Sequence, residues 1–150
     1  MRKLEFTTVI NAPKNIVFDL SRSVNAHLES TSQTHETAIG GKTAGLLDEG
    51  DEVIWKGRHF GLWLTHHSRI TLMQPPDFFI DEMVSGNFTK FRHMHTFVES
   101  DGKTIMHDII EYDVPLGIIG QIFDKLTLAA HLRILIQKRN TALKSMAERA

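Results

Sequence analysis

The chain has 150 residues, with 17 basic and 18 acidic side chains, a formal net charge of -1 and no cysteine. This length fits one ordinary domain, and we expect a single domain over residues 1–150. Because the net charge is close to zero, no overall field attracts nucleic acid, and we expect no nucleic-acid partner. The lack of cysteine excludes disulfides, thiolate nucleophiles and iron–sulfur clusters.

The N-terminal segment and the lengths of the apolar runs predict the cellular location of the protein. The opening "MRKLEFTTVI" lacks the apolar centre of a signal peptide, and no apolar run reaches the roughly 20 residues needed to span a bilayer. We therefore expect a cytoplasmic protein without stable membrane insertion.

The first two-thirds of the chain predict one strand, two short helices and then a series of strands. Residues 3–10 alternate in hydrophobicity as a strand does. Helical patterns follow at residues 13–20, where Pro13 stands at the expected first helical position, and at residues 25–32. From 35 to 114 the sequence divides into about six short β-rich runs. Their hairpin-sized separators favour antiparallel neighbours.

The C-terminal segment predicts one long amphipathic helix. It contains no proline or glycine after Gly120. Its apolar positions recur at steps of three and four residues, at Ile122, Leu126, Ala129, Leu132, Ile136, Leu143 and Met146. The basic polar side is typical of a solvated face, with docking on a membrane surface as the alternative. The predicted fold class is α+β: an antiparallel sheet of about seven strands that curls around the long helix and leaves a space between them.

The turn signal Asp101-Gly102 determines how the two flanking strands pair. A two-residue turn there places Ser100 opposite Lys103, and all further pairs follow. On one face the predicted pairs are Phe97 with Met106, His95 with Asp108, His93 with Ile110 and Phe91 with Tyr112. The other face pairs Arg92 with Glu111, which belong with solvent, so we expect the face that carries the histidines to point inward.

The predicted His95–Asp108 pair allows several roles. A carboxylate opposite an imidazole can fix its tautomer and raise its pKa, as in a general base, but the same pairing also satisfies a buried histidine. Ligand contact and metal binding are further alternatives. His93 and His95 lie about 6.8 Å apart along the strand, and Asp108 is engaged by His95. We therefore predict no metal and no cofactor.

A second strand adds inward-facing residues. In "EVIWKGRHF", Lys56 and Arg58 point outward, which turns Trp55 and His59 inward. His66 and His67 lie on opposite faces of their strand and cannot chelate one ion together. Polar atoms among aromatic side chains are typical of a ligand pocket. The predicted ligand-binding residues are Trp55, His59, Phe91, His93, His95, Phe97, Met106, Asp108 and Tyr112.

Four segments together resemble the SRPBCC superfamily of START-related, polyketide-cyclase-like and birch-pollen-allergen-like proteins. They are "INAPKNIVFDL", "GDEVIWKGRHFG", "PPDFFIDEMVSGNFTKFRHMHTF" and "TIMHDIIEYDVPLGIIGQIFDKL". The last three are similar to a bacterial subfamily described as cyclase/dehydrase-like or cell-division-inhibitor-like. The subfamily's motif positions correspond to Trp55, His59, Asp81, His93, His95, Phe97, Asp108, Tyr112 and Pro115, and none of them carries an established catalytic role.

The resemblance implies a helix-grip fold with a deep apolar cavity between a bent sheet and the C-terminal helix. Relatives bind lipids, sterols, quinones, plant hormones or polyketides in that cavity, and a minority catalyse cyclisation or dehydration. The resemblance thus specifies a pocket, without specifying a reaction.

Three functions are therefore considered. The first is a binding protein for a hydrophobic or aromatic small molecule, such as a lipid, a quinone or a polyketide-like compound, with His93, His95 and Asp108 as a polar anchor. The second is a cyclase or dehydratase in which His95, oriented by Asp108, abstracts a proton while Tyr112 or His93 stabilises the oxyanion. The third is an interaction module that uses the basic helix or a sheet edge. A homodimer is left open.

Overall fold

The computed structural model describes residues 1–150 and contains one seven-stranded antiparallel sheet in the order β1-β7-β6-β5-β4-β3-β2. The strands are β1 (Arg2–Ile10), β2 (Thr37–Gly41), β3 (Glu52–His59), β4 (Leu62–Gln74), β5 (Phe78–Ser85), β6 (Lys90–Ser100) and β7 (Lys103–Asp113). Strands β2 to β6 each pair with the next strand in the chain, as the short separators predicted, and β1 pairs with β7. The α+β prediction is confirmed.

Helices occupy the two segments in which the sequence predicted them. Helices α1 (Lys14–Ser21) and α2 (Val24–Ser30), with a short turn of 3₁₀-helix at Ser32–Thr34, connect β1 to β2. The C-terminal segment consists of α3 (Gly117–Phe123), a π-helical turn (Asp124–Leu128) and α4 (Ala129–Arg149). None of these helices has the length and hydropathy required to cross a bilayer.

The π-helical turn corrects one detail of the predicted long helix. Ile122 and Leu126 belonged to the predicted apolar stripe, yet they are 53% and 75% exposed. A π-helical turn widens the backbone by one residue, which rotates the preceding residues relative to the helix that follows. The stripe of α4, with Leu132 and Leu143 buried, therefore does not continue onto the preceding segment.

The predicted register of β6 and β7 is confirmed at every pair. Phe97 lies opposite Met106, His95 opposite Asp108, His93 opposite Ile110 and Phe91 opposite Tyr112. On the outer face Arg92 Nη1 lies 3.2 Å from a carboxylate oxygen of Glu111. The histidine-bearing face of β6 points inward, with His93 and His95 both buried.

The core fills only part of the space between the sheet and α4. At one end Phe18 of α1 packs edge-on against Phe79 and Phe97, with ring centroids 5.6 and 5.4 Å away. Leu143 and Ala147 of α4 belong to the same cluster. Beside β1 and β7, Leu4, Ile110, Tyr112 and Leu132 form a smaller cluster. The remaining space, over β3 to β6, is open.

Candidate functional site

A cavity of about 600 Å³ lies between the sheet and the C-terminal helices. This volume is in the range of small-molecule sites. The inward faces of β3 to β6 form its floor, and α3, the π-helical turn and α4 cover it. Most of its wall is apolar, including Leu47, Leu64, Ile70, Phe79, Phe88, Phe91, Val114, Leu128, Leu132, Leu135 and Ile136.

The position of the cavity follows from how the C-terminal helices pack. Asn140 and Arg139 of α4 reach down to Asp108, so α4 lies directly on β7 and leaves the space over β3 to β6. Gly120 brings α3 close to the end of β7, because a Cβ atom at this position would lie only 1.8 Å from the carbonyl oxygen of Pro115. Both Gly120 and Pro115 form part of the cavity wall.

Asp108 holds His93, which differs from the predicted pairing with His95. The Nε2–H group of His93 donates to Asp108 Oδ1 at 2.7 Å, and Asn140 Nδ2 donates to Oδ2 at 2.9 Å. Asp108 is fully buried. Burial by itself would raise the pKa of its carboxyl, but the hydrogen bond from His93 and the charge of Arg139 hold that pKa well below its ordinary value.

His95 instead pairs with Asp81 of β5, at 2.7 Å from Nε2 to Oδ2. Its Nδ1 atom lies 3.3 Å from Asp108 but makes no hydrogen bond. In the register Asp81 lies opposite His93, so each carboxylate binds the diagonal histidine. Diagonal neighbours on a twisted sheet are within reach of long side chains, and the prediction of a directly opposite pair did not include the twist.

Asp81 is an anion at neutral pH. Burial favours its neutral form, but the hydrogen bond and charge of His95 outweigh burial and lower the pKa of Asp81 to about 2. Its side chain is partly exposed, and it lines the cavity together with His93 and His95. Asp81 is therefore a negative group that a ligand can contact.

The two histidines of β6 form an aromatic stack with Phe79. The ring centroids of His93 and His95 are 3.7 Å apart, and Phe79 stacks on His95 at 4.1 Å. Burial, with the neighbouring His95, lowers the pKa of His93 to about 4 against the opposing effect of Asp108. His93 is neutral at pH 7, and because Nε2 carries the proton donated to Asp108, Nδ1 is left as an acceptor.

These residues also form the group best placed for a metal ion. One ligand atom each from Asp81, His93 and His95 lies within 4.8 Å of the others. The metal alternative drawn from the sequence placed Asp108, and not Asp81, beside the two histidines. Histidine binds metals along the ring plane, and the planes of His93 and His95 are stacked at an angle of 21°. At least one ring would have to turn before the two could share one ion.

The entrance of the cavity is formed by the β3–β4 turn and the C-terminal helices. His59 Nδ1 lies 3.0 Å from His131 Nε2, which places one shared proton between β3 and α4. Phe60 packs against His131 at 4.5 Å and against Phe123 at 5.5 Å. Burial lowers the pKa of both His59 and His131. This cluster joins the two sides of the entrance.

Sequence reasoning missed a third polar group, formed by His27 and Glu36. Their side chains are 2.9 Å apart, and the ring of His27 packs against Trp55 at 4.1 Å. Burial raises the pKa of Glu36, but His27 and Thr34 together lower it below the ordinary value. No periodicity marks these residues, which come from a helix end and a loop.

His66 and His131 were also missed as cavity and entrance residues. His66 lines the cavity, and burial lowers its pKa. His67 points outward to Glu52 at 2.6 Å. The strand parity that turns Trp55 inward identifies His66 as well, because the two residues lie opposite each other in the register.

The predicted ligand-binding residues divide into two groups. Trp55, His59, Phe91, His93 and His95 line the cavity, whereas Phe97, Met106, Asp108 and Tyr112 do not. Phe97 and Met106 belong to the core beneath α1. Tyr112, considered above as an oxyanion stabiliser, donates its hydroxyl proton to Asp124, and burial together with Asp124 raises the pKa of Tyr112.

No protein-family model matches the chain, and no curated protein matches its sequence. Solved structures do match over the full length. The Zhui aromatase/cyclase from Streptomyces sp. R1128 is 15% identical with a TM-score of 0.79, covering 99% of this chain and 94% of that one. A START superfamily protein from Mycobacterium smegmatis is 14% identical with a TM-score of 0.73, covering 98% and 97%. The major latex-like protein 151 from Panax ginseng is 13% identical with a TM-score of 0.71, covering 97% of each chain.

These similarities define the class of protein by its fold. The chain has the helix-grip fold that the START superfamily protein and the aromatase/cyclase share, with a bent antiparallel sheet closed by a long C-terminal helix. The fold implied by the sequence resemblance is confirmed.

Proposed function

We propose that the protein binds a hydrophobic or aromatic small molecule in the cavity, with His93, His95 and Asp81 as the polar anchor. The observation that carries this proposal is a largely apolar cavity of about 600 Å³ whose lining brings Asp81, His93 and His95 together as one polar group. The stack of Phe79, His95 and His93 offers flat surfaces for an aromatic ring.

The charges of the wall favour a neutral ligand that carries hydroxyl groups. Asp81 and Glu36 are both carboxylates with lowered pKa values, and neutral His93 offers an acceptor. The two arginines of the wall are already neutralised, Arg22 by two aspartates and Arg139 by Asp108. A ligand carboxylate would meet buried negative charge, whereas a phenol or alcohol can donate to these acceptors. A hydroxylated aromatic compound or a quinol therefore fits better than a fatty acid.

The test compares two adjacent positions of α4. Leu135 lines the cavity, and Ile134 is more than half exposed. Leu135→Trp should fill the cavity and weaken the binding of hydroxylated aromatic probes by about tenfold or more, while Ile134→Trp should leave binding unchanged. Native mass spectrometry of gently purified protein and calorimetric titration measure the two effects. Equal affinities in both variants would contradict a ligand site in the cavity.

A second candidate function is a cyclase or dehydratase, favoured by the similarity to an aromatase/cyclase and by the His–Asp pairs of the cavity. His95 Nδ1 has no hydrogen-bond partner but is buried against Asp108, so the acceptor that remains for a substrate is His93 Nδ1, and His93 would accept the proton. A pKa of about 4 makes His93 a weak base at pH 7. Such a base suffices only for an acidified C–H, for example one between two carbonyl groups. Binding is therefore the first proposal.

The variant His93→Gln separates the two functions. If His93 is a base, the variant should lose turnover of a β-polyketone substrate while it keeps affinity for the substrate. If His93 only anchors the ligand, affinity should fall and no turnover should be seen in either protein.

A further inference from the structure

The entrance of the cavity is surrounded by exposed apolar side chains. We call the exposed large apolar residues from Leu116 to Leu126 and from Phe60 to Leu62 the entrance surface. Leu116, Ile118, Ile119 and Leu126 are each about three-quarters exposed, at 78%, 75%, 73% and 75%. The remaining large members of the entrance surface are Ile122, Phe123, Phe60 and Leu62. Contiguous exposed patches of this kind mark interaction sites.

Helix α3, with the sequence "GIIGQIF", has only one polar side chain, Gln121. Ile119 and Phe123 belong to the cavity wall, while Ile118 and Ile122 point away from it. Large apolar side chains exposed together on one helix are typical of a surface that contacts another apolar environment. The outward side chains therefore form a surface to which an external apolar partner can bind.

The unpaired charges on β3, the π-helical turn and α4 have one sign. Lys56 and Arg58 of β3, Lys125 of the π-helical turn and Arg133 of α4 are exposed and form none of the ion pairs of the chain. No acidic residue occurs between Glu52 and Asp77, and the only one between Asp113 and Glu148 is Asp124. Asp124 is buried and paired with Arg2 at 2.6 Å. An apolar surface bordered by free cations is complementary to anionic lipid headgroups over hydrocarbon.

A second copy of the chain fits this surface less well. A two-fold contact would bring the same free cations face to face, at a cost that a bilayer with anionic lipids does not impose. Phe123 and Ile119 belong to both the entrance surface and the cavity wall, so contact with a bilayer would place the entrance against the acyl chains.

We propose that the entrance surface docks the protein reversibly on an anionic phospholipid bilayer. Helix α3 and the π-helical turn then lie in the interfacial region, and an apolar ligand passes between bilayer and cavity without crossing water. The docking rests on the outer side chains and is independent of which ligand occupies the cavity.

The experiment measures co-sedimentation of the full chain with vesicles of phosphatidylcholine alone or mixed with phosphatidylglycerol. The double variant Ile118→Ser with Leu126→Ser removes two outward side chains that do not line the cavity, and it should weaken binding to the mixed vesicles by about tenfold or more. The matched control is Val98→Ser, because Val98 is similarly exposed but lies at the other end of β6. Lys56→Gln with Lys125→Gln should weaken binding to mixed vesicles, and added salt should do the same.

Each remaining outcome contradicts the proposal. It fails if the wild-type chain binds neither kind of vesicle, or if the serine variant binds as well as the control while its thermal unfolding matches that of the wild type. Light scattering of the protein without vesicles measures its oligomeric state. A dimer that the serine variant abolishes, together with absent vesicle binding, would assign the surface to a second copy.

Discussion

His95 donates to Asp81 across the β5–β6 pair at 2.7 Å, although the residue directly opposite His95 on β7 is Asp108. Because each carboxylate binds the diagonal histidine, Asp81 and Asp108 have different roles. Asp108 is fully buried beneath α4, where His93 and Asn140 donate hydrogen bonds to it. Asp81 keeps contact with the cavity. One carboxylate is thus a structural acceptor, and the other is available to a ligand.

The first prediction concerns the stability of these two sites. Asp108→Asn removes a buried charge on which His93, Asn140 and Arg139 converge, and we expect the free energy of unfolding to fall by about 3 kcal/mol or more. Asp81→Asn is the matched change at the partly exposed site and should cost only about 1 kcal/mol. Urea unfolding monitored by circular dichroism compares them. A larger loss for Asp81→Asn would contradict the assignment of Asp108 as the structural acceptor.

The second prediction concerns stability against pH. Folding lowers the pKa of His93 from 6.5 to about 4, so the unfolded chain takes up the proton first as the pH falls. His93 should therefore reduce the free energy of unfolding by as much as about 3 kcal/mol between pH 6.5 and 4. The groups that face it are Asp108, Asp81 and His95 on the sheet and Arg139 from α4.

Urea unfolding at a series of pH values tests this slope, with His93→Gln as the comparison. In the variant, the free energy of unfolding should depend much less on pH. A smaller dependence should remain, because burial also lowers the pKa values of His59, His66 and His131. A slope that is equally steep in the variant would show that His93 is not its source.

The third prediction concerns the entrance. His59 and His131 share one proton across 3.0 Å, and burial favours their neutral forms. In acid, once both rings are protonated, two cations lie in contact and neither ring can accept the hydrogen bond, so the entrance should loosen and a bound ligand should dissociate faster. His131→Gln retains a hydrogen-bonding group without the second charge and should make the dissociation rate insensitive to pH. Stopped-flow displacement of a fluorescent ligand measures the rate.

The fourth prediction concerns the attachment of α3. A Cβ atom at Gly120 would overlap the carbonyl oxygen of Pro115. Gly120→Ala should therefore displace α3 and lower the free energy of unfolding by about 1–3 kcal/mol, despite the better helix propensity of alanine. The neighbouring Gln121→Ala is the control and should be neutral or slightly stabilising. Equal stability of the two variants would mean that α3 does not need this close approach.

Much of the sheet was predictable because its determinants are local. The Asp101-Gly102 turn defines the register of β6 and β7, and alternation then assigns His93 and His95 to the inner face, since a one-residue slip would expose both. The same parity places Trp55 and His66 in the cavity wall.

The remaining features depend on contacts between distant segments, which no local pattern encodes. The twist of the sheet decides that His95 binds Asp81 and leaves Asp108 to His93, because diagonal and direct neighbours differ only slightly in distance. The π-helical turn decides that Leu126 faces outward, by rotating α3 against α4. The sequence by itself thus determined which side chains of the sheet face the interior, and the tertiary structure decided which of them meet.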